Sequence, residues 1–93
     1  MNLEKIITEK INKNLSPDLF KIINFSDKHK NHYLEDDNDT SHIKLIVVSK
    51  SFDSLSKIDR ERLVHTILSE EISNHIHSIR LKLYTLEEYQ LIK

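Results

Sequence analysis

The chain has 93 residues, 38% of them hydrophobic and 31% charged, and its formal net charge is −1. That balance suits one folded domain with a single core and excludes a disordered chain. Cysteine and glycine are both absent, which excludes disulfides, thiol catalysis and every glycine-dependent phosphate loop.

The first element is a helix. Leu3, Ile6, Ile7, Ile11 and Leu15 fall on one stripe at helical spacing, with Glu4, Lys5, Glu9, Lys10 and Lys13 opposite. Ser16-Pro17-Asp18 ends it, because the residue before a proline is pushed out of the helical region. Phe20 to Phe25 reads as a strand of mixed burial. From Ser26 to Ser41 apolar residues are few, and Glu35-Asp36-Asp37-Asn38-Asp39 is read as solvated hairpin loop. Ile43 to Val48 is apolar and mostly β-branched, the pattern of a central strand.

Phe52 to Leu55 is a short connection. Ser56 is the predicted cap of a long helix, with Asp59 in its first turn and Ile58, Leu63, Val64, Ile67, Leu68 and Ile72 on its buried face. Asn74 is the predicted left-handed stop of that helix. Ile79, Leu81 and Leu83 alternate with Arg80, Lys82 and Tyr84, a third strand with one wet face. Thr85-Leu86-Glu87-Glu88 forms a capping box that opens a short last helix.

The expected fold is therefore α+β, one domain over residues 1–93 in the order α-β-β-α-β-α, with helices covering one face of a three-stranded sheet. No apolar run nears the ~20 residues of a membrane span, and the N-terminus has no apolar signal region, so a cytoplasmic location is expected.

Six histidines are the main chemical feature. His29 and His32 sit three apart in the polar stretch, and His77 lies at the junction before the third strand. Imidazole is a common ligand for zinc, copper and iron, yet a stable site usually takes about four donors. Two or three imidazoles and no thiolate make an incomplete set, which points to a second protein supplying the rest. Each histidine also has a plainer reading. His29, His32 and His75 read as exposed loop or turn, His42 as a structural strand-end residue, His65 as packed on the long helix, and His77 as satisfying backbone. Arg60 and Arg62 read by default as a solvated helix face paired with Asp59 and Glu61. Their functional alternative is to grip a carboxylate on a partner. No nucleophile–base–orienter set is present, so an enzyme is not expected.

Four stretches together resemble the BolA family: Asn24-Phe25-Ser26-Asp27-Lys28-His29, Ser41-His42-Ile43-Lys44-Leu45-Ile46-Val47-Val48-Ser49, Arg60-Glu61-Arg62-Leu63-Val64-His65, and Ile76-His77-Ser78 leading into Tyr84-Thr85-Leu86-Glu87-Glu88-Tyr89. The chain departs from the family pattern with Glu61 where Arg-His-Arg is common, and with Tyr89 in place of a terminal tryptophan. The resemblance implies a class II KH-like fold and partnership with a monothiol glutaredoxin in iron–sulfur cluster assembly, trafficking or iron sensing. It implies that His29 and His77 are ligands of a two-iron, two-sulfur cluster shared with the glutaredoxin and its glutathione, with His32 as a substitute for His29. No cluster is expected on the isolated chain, itself expected as a monomer or weak dimer. Arg60, Arg62 and His65 are the expected partner-binding residues.

Some bacterial relatives are described as DNA-binding regulators, and a transcriptional role is the rival reading. The charge of −1 and the absence of a Gly-x-x-Gly clamp disfavour it.

Overall fold

The structure, a computed structural model, describes residues 2–24 and 41–93. Helix α1 spans Leu3–Leu15 and is opened by Asn2, whose side chain accepts from the Lys5 amide. It buries Ile7, Ile11 and Leu15, three of the five stripe positions read from the sequence. It ends where expected, at Ser16, which adopts a left-handed backbone (φ 43°) with its N–H donating to Asn12 O. A non-glycine residue there costs roughly 1–2 kcal/mol, and Pro17 then prevents the helix from continuing.

Strands β1 (Leu19–Asn24) and β2 (Ser41–Val48) pair antiparallel, and β3 (Ile76–Tyr84) pairs parallel to β2, giving the order β1-β2-β3. Between β2 and β3 come a 3₁₀ turn (Lys50–Phe52) and helices α2 (Lys57–Ile67) and α3 (Ser69–Asn74). Helix α4 (Leu86–Ile92) follows β3. The register places Phe20, Ile22, Ile43, Leu45, Val47, Ile79, Leu81 and Leu83 on one face. Ile7, Ile11 and Leu15 of α1 and Val64 and Leu68 of the α2–α3 segment complete the core against that face, and Phe52 is fully buried among them. The helical layer and the α+β architecture are as the sequence predicts.

Four details differ from the sequence reading. The long helix is broken at Leu68 (φ −105°, ψ 19°) into α2 and α3. The apolar stripe runs through the break unchanged, since Leu68 is buried and Ile72 packs on the core, so periodicity does not mark it. Asn74 lies inside α3, and the left-handed residue is Ser16 instead. Ile58, predicted to face the core, is 61% exposed because it lies in the first turn of α2, outside the packed stripe. Strand β3 begins at Ile76 rather than Ile79, which puts His77 within the sheet. The predicted hairpin loop lies outside the described residues.

Candidate metal centre

The parallel pairing of β2 with β3 contains an irregularity at its start. Ser41 is opposite Ile76 and His42 opposite Ser78, so His77 is an extra residue with no partner of its own. Such a bulge re-aims the side chain it inserts. His77 is exposed, and its ring lies 5.1 Å from that of His42, centroid to centroid, at an interplanar angle of 56°. His42, read from the sequence as structural, is thus the imidazole that the described fold brings to His77. The strand pattern could not show this, because alternation assigns His77 and His42 to faces without knowing that the bulge shifts one of them.

Two neutral imidazoles held tetrahedrally at ~2.0–2.1 Å from one metal place their ring centroids roughly 5 Å apart. The observed separation fits that arrangement. Among the described residues, no group of three or more His, Cys, Asp or Glu side chains could hold a metal. The local donor set is accordingly small, two imidazoles of which His77 is exposed and His42 half-buried, suited to a site whose remaining ligands come from elsewhere. His29 and His32 lie outside the described residues.

The other predicted residues divide. His65 is exposed on α2 instead of packed, and His75 is half-buried at the C-terminal cap of α3. Arg62 is exposed and lies 3.5 Å from Asp59, the helical pair expected of a solvated face. Arg60 is the correction: it is 5% exposed. Its Nε donates to Leu55 O (3.1 Å), and Nη1 donates to Leu83 O (3.2 Å) and Glu88 Oε1 (2.7 Å). Nη2 donates to Glu88 Oε2 (3.1 Å), and the guanidinium lies 5.9 Å from the centroid of the Phe52 ring. With its donors so committed inside the chain, Arg60 ties α2 to the end of β3 and to α4, and Arg62 and His65 are the exposed members of the predicted partner-binding set.

Glu88 also accepts from the Thr85 amide (3.1 Å), while its own amide donates to Thr85 Oγ1 (3.1 Å), the predicted capping box. The Arg60 hydrogen bonds, with that amide second, hold the Glu88 carboxyl down at about 2. A second long-range pair joins α1 to α3: Lys10 Nζ donates to the buried Glu71 at 2.7 Å. That bond raises the Lys10 ammonium above its ordinary value of 10.5.

A family model described as BolA-like protein matches residues 11–88. The chain belongs to the BolA family. It is 35% identical over 88 residues to a Vibrio cholerae protein named DNA-binding transcriptional regulator BolA, covering 95% of this chain and 79% of that one. Among solved structures it resembles BolA1 from Arabidopsis thaliana at a TM-score of 0.81, with 30% identity and coverage of 95% and 96% of the two chains. The BolA domain of SufE1 from the same plant gives a TM-score of 0.77, with 30% identity and coverage of 90% and 92%. This BolA-family chain thus keeps the family's fold, and among its described residues no helix is long and apolar enough to cross a membrane.

Proposed function

We propose that this BolA-family protein is a binding module that shares a two-iron, two-sulfur cluster with a monothiol glutaredoxin. The observation that supports this most is the exposed His77, re-aimed by the bulge and 5.1 Å from His42, in a chain with no thiolate. His77 supplies one imidazole. The second comes from the stretch between β1 and β2 as His29, with His32 as its substitute, and His42 is the nearby imidazole of the described fold. The cluster supplies an iron on which imidazole replaces thiolate, a change that raises reduction potential and makes ligation proton-sensitive. The chain's own residues hold the His77 imidazole at an accessible rim and leave coordination open for the partner's thiolates. Arg62 and His65, exposed on α2, are proposed partner contacts.

The test is reconstitution with iron and sulfide, alone and with a monothiol glutaredoxin. A coloured heterodimer is expected, with no stable cluster on the isolated chain. A stable cluster on the chain alone, or none with the partner, would contradict the reading.

The name of the Vibrio cholerae relative favours a second reading, a DNA-binding regulator. Its discriminator is duplex binding as a function of salt. Weak, non-specific binding is expected; nanomolar, sequence-dependent binding at ~150 mM salt would promote this second reading.

A further inference from the structure

A net charge of −1 conceals a strong segregation of charge. The three strands contain Lys21, Lys44, Arg80 and Lys82 and not one aspartate or glutamate. The register puts all four cations on the sheet face turned away from α1, α2 and α3, with α4 reaching only its Tyr84 end. Ile23, Lys44 and Arg80 form one cross-strand row, and Lys21, Ile46 and Lys82 form the next. Lys21, Ile23, Arg80 and Lys82 are exposed, while Lys44 and Ile46 are half-buried. Among the described residues no carboxylate is paired with any of the four cations, although Lys10, Arg60 and Arg62 on the helices all have one. The first row lies one step along the sheet from the His42–Ser78 pair beside which His77 is inserted.

We infer that this face is the docking surface for an acidic protein partner, and that the partner which completes the His77 site is the one that docks there. This rests on the proposed function for the partner's identity, but the surface is read from charge and register alone. Like charges gathered on one face cost folding energy, and the uncompensated field steers an oppositely charged partner towards it. The patch alternates cations with Ile23 and Ile46, so it offers aliphatic contact as well as charge. Bases of single-stranded nucleic acid stack on aromatic rings, and these two rows carry none. A carboxylate-bearing protein surface with apolar residues between its charges matches both features. Docking there brings the partner's thiolates to the end of the sheet where His77 is exposed.

The experiment measures association of the full chain with a monothiol glutaredoxin by surface plasmon resonance, from low salt to ~0.5 M. The variants are Lys44→Glu with Arg80→Glu and Lys21→Glu with Lys82→Glu, and their Gln counterparts guard against misfolding, with circular dichroism as the check. Each reversed pair is expected to slow association by about tenfold or more at low salt, with the difference shrinking as salt rises. The Gln pairs are expected to fall between, and Lys13→Glu, on the exposed side of α1, to have no effect. Wild-type rates in the folded pair variants would overturn the docking surface while leaving the shared cluster standing. No association of the wild-type chain, with or without cluster, would overturn the proposed partnership itself. A single-stranded oligonucleotide that binds the wild-type chain and is lost with the same substitutions would overturn the choice of a protein occupant.

Discussion

The two ends of β3 carry polar clusters of opposite kinds. At its far end Arg60 is buried, and its donors are matched by Leu55, Leu83 and Glu88. At its near end His77 stands exposed on a bulge beside His42, with too few donors for a closed site among the described residues. A buried charge must be fully partnered or the fold suffers, whereas an exposed imidazole carries no such penalty and can be left for a ligand. The difference separates structural polarity from functional polarity: one cluster should control stability and the other only chemistry.

The largest stability effect is expected at Arg60. Arg60→Ala removes the cation from a desolvated position and frees α4, none of whose residues is buried. Because the Glu88 side chain is 39% exposed and can re-solvate, the loss should be about 2–3 kcal/mol, below the 3–5 kcal/mol of a fully buried pair. Denaturant unfolding measures it. A loss under about 0.5 kcal/mol would erase the contrast between the two ends.

Acid sharpens the same contrast. The Glu88 carboxyl titrates at about 2 in the folded chain, below its ordinary 4.5. Its contribution is therefore fully present above the ordinary value and is lost as pH falls towards 2. In Glu88→Gln the overall stability should be lower at neutral pH, and its decline between about pH 5 and 2 should be shallower than in the wild type. Parallel pH profiles for the two proteins would show that the carboxylate is not held by Arg60.

Lys10→Met should come next. It leaves the Glu71 carboxylate in place with 6% of its side chain exposed and without its cation. Lys10 itself is in contact with water, so the loss should be smaller than that at Arg60. The smallest effect is expected at the other end of the strand: His77→Ala should change unfolding free energy by no more than about 0.5 kcal/mol, as for exposed substitutions in general.

What was legible in the sequence follows the reach of each interaction. The Ser56 and Thr85 caps are bonds between residues three apart, and the amphipathic stripe of α1 and the alternation of β3 are equally local, so pattern alone shows them. The Arg60–Glu88 and Lys10–Glu71 pairs join residues 28 and 61 apart, and no spacing rule reaches that far. Arg60 consequently reads as solvated until α4 is placed over it. The break at Leu68 is invisible because both halves keep one apolar stripe, and nothing in Ile76-His77-Ser78 signals the bulge. For the candidate site, family resemblance singles out His77 as a ligand, whereas its proximity to His42 becomes apparent only in the sheet register. Arg80 and Lys82 are legible on the wet face of the third strand, but their grouping with Lys21 and Lys44 needs the sheet register, because net charge sums over faces that the fold separates.

His77 is proposed to act on a shared cluster and not on the fold. The direct measurement is visible absorption and circular dichroism of the chain co-expressed with a monothiol glutaredoxin, comparing wild type with His77→Ala. The variant is expected to unfold at the wild-type denaturant midpoint yet lose the heterodimer's distinct cluster spectrum. A His77→Ala complex with the wild-type spectrum and full iron and sulfide content would contradict the claim.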